Sequence, residues 1–192
     1  MKSLHREVLT MASQTYTKVT EYKRSRFFEE SWESVQKCFI NEWIPAQQRA
    51  ADAGLAPAVI SYKIRDKCLI LCMQKIDGRT LLEEVEEWFS KPRYRQDAEE
   101  YLCSTLTRVS DLLRGIIEST GSIHPDWASR NILVDSQGKM WAIDFENWYP
   151  EDISDISERV EEEMESFRAD LAQSFNRGSN SYNYLVRCRK MA

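Results

Sequence analysis

Residues 122–146 read SIHPDWASRNILVDSQGKMWAIDFE, and this stretch decides the fold. Two short apolar runs, 132–134 and 140–143, flank a Ser-Gln-Gly turn, which is the pattern of a β-hairpin. Polar residues stand at both ends: Asp126 at the entrance, Asn131 five residues on, and Asp144 at the exit. Ladder pairing of two strands sets entrance beside exit, so Asn131 and Asp144 face a common point. Two oxygen donors there suit a hard cation such as Mg2+, which takes a few carboxylate and amide oxygens together with substrate phosphates. Asp126 is then placed to accept the proton of an attacking hydroxyl. Singly, each residue has ordinary work capping a turn or ending a strand; the set points to chemistry.

Around this hairpin the pattern is mostly helical. Upstream, Leu102, Leu106, Val109, Leu113 and Ile116 keep one apolar stripe over 96–119, and a shorter helix is expected over 81–89. Downstream, Ile156, Val160, Met164, Phe167 and Leu171 mark a charged amphipathic helix within 152–175. Before residue 78 the character changes. QTYTKVTEYK at 14–23 reads as a strand, with a weaker one at 7–11. Trp32, Val35, Phe39, Trp43, Ala46 and Ala50 predict a helix that Ser31 caps and Gly54 ends. Pro45 must kink or split it, lacking an N–H and colliding with the carbonyl four residues back. PAVISYKIRDKCLILCM at 57–73 predicts a second hairpin turning at 63–67, with Asp77-Gly78 opening a loop beyond it.

Composition narrows the class. The net charge of −5 gives no basic surface for nucleic acid, so no such partner is expected. No apolar run is long enough for a membrane helix, so no membrane partner is expected either. The five cysteines are scattered without zinc-site spacing and read as free thiols of a reducing, cytoplasmic setting. Of the six glycines none precedes Gly54. That excludes a Gly-rich phosphate-cradling loop in the first quarter of the chain.

His124-Pro125-Asp126, Asn131-Ile132-Leu133-Val134-Asp135 and Ile143-Asp144-Phe145 follow H-x-D-x-x-x-x-N, two apolar strands and D-F, in order and spacing. Here the chain resembles the protein-kinase-like superfamily. The looser stretch 42–82, with LILCMQKIDGRTL, is similar to that family's αC helix, following strands and hinge. The resemblance implies an α+β, two-lobed fold in one domain. Its truncated N-lobe would cover about 1–73, its hinge about 74–78, and its short, mainly helical C-lobe about 79–192. It implies a phosphotransferase using ATP and Mg2+, with Asp126 as catalytic base and Asn131 beside it, and with Asn131 and Asp144 holding the metal. It also implies that Glu42 orients a phosphate-binding lysine, and that adenine lies against Met73, Gln74 and Ile76. The favoured lysine is Lys23, 19 residues before Glu42, with Lys18 in the better strand context second and neither as the third alternative; an odd separation allows only one of them to face the cleft. His124 is expected to shape the loop by packing and hydrogen bonding.

Three departures matter. Pro125 replaces the arginine that reads activation-loop phosphate in many protein kinases. Glu146 stands where they have Gly, as in choline-kinase-like members. The segment from Glu146 to Ala192 has no Ala-Pro-Glu motif. In this compactness the chain resembles minimal atypical kinases, including small tRNA-modification-associated kinases and small fungal kinase-like proteins. The acceptor is expected to be a protein hydroxyl rather than a small molecule, and the alternative reading is a pseudokinase that binds without turnover.

Overall fold

The computed structural model describes residues 14–21, 31–90, 97–124, 126–146 and 150–175. Strand β1 (Thr15–Glu21) pairs antiparallel with β3 (Cys68–Gln74), and β2 (Val59–Arg65) pairs antiparallel on the other side of β3, giving the order β1-β3-β2. The β2–β3 turn is tighter than the sequence predicts. Arg65 is paired to Cys68, so only Asp66 and Lys67 turn the chain, with φ of 49° and 61°. Positive φ at both central residues is the type I′ pattern, whose twist matches that of the flanking strands. The strand candidate at 7–11 and Lys23 lie outside the described residues.

Ser31 caps helix α1 (Trp32–Cys38), its side chain accepting from the Ser34 N–H. Pro45 is then accommodated without a break. A π-helical turn (Phe39–Trp43) bonds the Ile44 N–H to the Phe39 carbonyl five residues back, and α2 (Ile44–Asp52) begins with the proline in its first turn. That is where a missing N–H costs least. Gly54, at φ 74°, follows the helix end.

After the segment 75–77, the short strand β4 (Gly78–Thr80) leads into α3 (Leu81–Ser90). The sequence predicts only a loop at β4, but it pairs antiparallel with β5 (Ile132–Asp135). Close approach is the reason for glycine here. A Cβ at Gly78 would stand 2.4 Å from the Val134 carbonyl oxygen. β6 (Met140–Ala142) completes a second sheet ordered β4-β5-β6.

The core lies beneath this second sheet. All five stripe residues of α4 (Ala98–Thr120) are buried, as are Val160, Met164, Phe167 and Leu171 of α5 (Ile156–Phe175). Asp155 opens α5 by accepting from the Ser157 and Glu158 N–H groups. Trp127 packs on Phe167 with ring centroids 6.3 Å apart, so the segment before β5 is clamped onto α5. Truncating Phe167, which is fully buried, should cost about 3–5 kcal/mol. The architecture is mixed α+β: one sheet carrying the α1–α2 helix, the other carrying the remaining helices. Among the described residues, no helix is long and apolar enough to cross a membrane.

Candidate functional site

The hairpin delivers its polar ends to one place. A 3₁₀ turn (Ser129–Asn131) leads into β5, and the Asn131 carbonyl accepts from the Ile143 N–H at 2.9 Å. This bond extends the β5–β6 ladder by one step and sets Asn131 opposite Ile143, the residue before Asp144. The Asn131 amide donates to the backbone carbonyl of Asp126 at 2.9 Å and to its Oδ2 at 2.8 Å. Both amide hydrogens are thereby used, which leaves Oδ1 as the acceptor atom. Arg130 donates to Oδ1 of Asp126 at 2.7 Å and lies 3.7 Å from Asp170 of α5. The Asp126 carboxylate is therefore held from two sides.

His124 ties the entrance of the hairpin to its exit. It is 1% exposed; Nε2 lies 2.8 Å from the Ile143 carbonyl, and Nδ1 accepts from the Asp126 N–H at 3.3 Å. A ring that donates at Nε2 and accepts at Nδ1 is neutral. Burial pushes its pKa down, consistent with that form. Its ring meets Phe145 edge-on at 4.9 Å. The expected shaping role is what the structure shows.

Asp144 has φ of 69°, a left-handed conformation for a residue with a side chain. Such backbone strain tends to be kept where a side chain must be aimed. Here the carboxylate is aimed at β1, where Lys18 Nζ lies 2.6 Å from Asp144 Oδ1 and 2.9 Å from Glu146 Oε1. Thr20 donates to the same Glu146 oxygen. Burial lowers the pKa of the Lys18 ammonium, but the hydrogen bonds and charges of the two carboxylates outweigh this and raise it above its ordinary value.

Of the two candidate lysines, Lys18 lies within the described residues, and β1 brings it to Asp144. Among the described residues, Glu42 has no lysine partner, and Lys23 lies outside them. Lys18 is claimed by Asp144 and Glu146, and Glu42 makes no ion pair among the described residues. Glu42 sits in the π turn with Oε2 buried and without a hydrogen-bond partner. Met73 turns toward the helix, where the Gln47 amide reaches its sulfur at 2.7 Å. Lys18, Thr20, Asp144 and Glu146, together with Trp43 and Met73, line a cavity of about 20 Å3, room for a water molecule. The Gln74 N–H donates to the Ala58 carbonyl and the Lys75 N–H to the Gln14 carbonyl, each at 2.8 Å. In the segment 74–77 a ligand would therefore look to the N–H groups of Ile76 and Asp77.

Thr20, Arg130 and the bridging role of Glu146 escaped sequence reasoning. Strand parity could have found Thr20, which stands two residues beyond Lys18 on the same face. No group of three or more His, Cys, Asp or Glu side chains converges among the described residues. A cation that shares its shell with phosphate oxygens needs only a pair such as Asn131 Oδ1 and Asp144. No protein-family model matches this chain, and no curated protein matches it.

Proposed function

We propose that this chain is an ATP- and Mg2+-dependent phosphotransferase with a two-lobed, protein-kinase-like fold, acting on a protein hydroxyl. The observation that carries the reading is the meeting of Lys18 with Asp144, 2.6 Å apart, at the end of a hairpin whose other end holds the Asn131–Asp126 pair, Asn131 being bonded through its carbonyl to Ile143, the residue before Asp144. A cation from β1, with a carboxylate and an amide oxygen from the two ends of one hairpin, is what a nucleoside triphosphate needs. Lys18 would hold phosphate oxygens, while Asn131 Oδ1 and Asp144 would hold Mg2+, which supplies charge neutralisation at the transferring phosphoryl group. Asp126, oriented by Arg130 and Asn131, would accept the acceptor hydroxyl's proton. The order β1-β3-β2 with its packed helix, the linking segment 74–77 and the helical remainder support the fold assignment.

One observation favours the pseudokinase reading. Lys18 is occupied by Asp144 and Glu146 while Glu42 has a buried, partnerless oxygen. No glycine precedes Gly54 to cover a phosphate chain. A melting-shift titration with ATP, with and without Mg2+, tests nucleotide binding in both readings, because a ligand bound only by the folded chain raises its melting temperature. Wild type should shift with Mg-ATP, and Asp144→Ala and Lys18→Ala should shift less. A wild-type curve indifferent to Mg-ATP would remove the phosphotransferase reading and leave the pseudokinase only as a partner-binding scaffold.

A further inference from the structure

We infer that the cleft between α4 and α5 binds the carboxyl end of a basic peptide, with Arg114 and Arg168 holding its carboxylate. The site shares no residue with the hairpin and does not depend on the nucleotide reading.

The cleft is open and has a volume of about 670 Å3, within the range of ligand sites. Arg114 lines it from α4 and Arg168 from α5. Both side chains belong to half-buried residues, and neither makes an ion pair among the described residues. Arg114 has the Ser157 hydroxyl at 3.3 Å, and the buried Nε of Arg168 has no hydrogen-bond partner. A buried donor left unmatched costs stability. Two guanidinium forks from neighbouring helices offer the paired donors to which a carboxylate binds.

The rest of the lining selects among anions. Glu158, Glu161, Glu162 and Glu165 line the same cleft and are exposed, so two arginines and four glutamates give it a net charge of −2. A phosphate dianion meets net repulsion there. A ligand with one carboxylate and several positive groups suits both sets, its carboxylate on the half-buried arginines and its cations on the exposed glutamates. Glu158 to Glu165 spans about 10 Å of helix, room for more than one basic residue. Buried Val160 and Met164 also line the cleft, an apolar surface for the methylene stems of lysine or arginine.

Calorimetric titration of the full chain with four probes tests this: the peptide Gly-Lys-Arg with a free carboxylate, its carboxamide, L-arginine and inorganic phosphate. The free-acid peptide should bind wild type, and the carboxamide about 10- to 100-fold more weakly, the scale of a lost charge-assisted contact. Arg114→Gln and Arg168→Gln should weaken the free acid by a similar factor and leave the carboxamide nearly unchanged, which separates a lost carboxylate contact from a disturbed fold. Arg168→Met keeps an apolar stem and breaks no ion pair, so it should melt no lower than wild type. Free acid and carboxamide binding wild type equally would overturn the inference, as would arginine variants that bind the free acid like wild type, or a wild type that binds none of the probes. L-arginine or phosphate binding as tightly as the peptide would overturn the choice of ligand, and a clearly lower melting temperature in Arg168→Met would mark that arginine as structural and overturn its role.

Discussion

Lys18 Nζ and Asp144 Oδ1 are 2.6 Å apart although 126 residues separate them in sequence. The contact joins the strand β1 to the exit of the β5–β6 hairpin, and Glu146 shares the same ammonium. Removing the cation leaves two carboxylates facing each other, whereas removing Asp144 leaves Lys18 with Glu146. Lys18→Met should therefore destabilise more than Asp144→Asn, by about 1 kcal/mol, given that the pair is partly solvated. Urea unfolding of the two variants measures this difference.

Asn131 positions Asp126 through both hydrogens of its amide. Asn131→Ala leaves the part-buried Asp126 backbone carbonyl short of a donor, and a loss of about 0.5–1.5 kcal/mol is expected. Asn131→Asp should be worse than Ala, because it brings a carboxylate against the Asp126 carboxylate in place of a donor. Thermal melts at neutral pH rank the two.

His124 predicts a pH dependence of stability. Its folded pKa is depressed by burial, so the unfolded chain takes up the proton first as pH falls. Stability from this group is full above the unfolded value near 6.5 and is lost as pH drops below it, with a slope of up to about 1.4 kcal/mol per pH unit. Chemical unfolding of wild type between pH 7.5 and about 5.5, above the main carboxylate range, should show the decline. In His124→Asn, which keeps a donor and an acceptor without titrating, the slope should flatten.

The type I′ turn suggests a stabilising change. Lys67 has φ of 61°, a region that costs a side-chain-bearing residue about 1 kcal/mol or more and costs glycine nothing. Lys67→Gly makes the turn Asp-Gly, and the melting temperature should rise by about 2–4 °C. Gly78→Ala should do the reverse, since its Cβ would meet the Val134 carbonyl.

Which parts of the fold were legible follows from the range of the forces involved. The stripe Leu102, Leu106, Val109, Leu113 and Ile116 announces α4, because a 3.6-residue period is written locally. Ser31 and Gly54 announce the ends of α1–α2 for the same reason. β4 carries no such period. Gly78-Arg79-Thr80 becomes a strand only by meeting β5, more than 50 residues on. The site divides in the same way. Asp126, Asn131 and Asp144 sit on one local hairpin and could be read from spacing. Lys18 could not be chosen over Lys23 by parity, which says only that one of them faces inward. The meeting of Lys18 with Asp144 depends on where β1 lies against β3, with Lys18 opposite Leu71. Glu42's partnerless oxygen depends on how Pro45 is accommodated and on which carboxylates capture the lysine, both tertiary outcomes.

The central claim is transfer of a phosphoryl group, and the most direct measurement is the Mg2+-dependent release or transfer of the γ-phosphate of labelled ATP by the purified full chain. Wild type should turn over only with Mg2+, and Asp126→Asn should fall by at least about 100-fold, the scale of a lost general base. Asp144→Ala should abolish turnover. A chain that binds Mg-ATP yet shows no turnover, or one whose turnover is unchanged in Asp126→Asn and Asp144→Ala, would contradict the assignment.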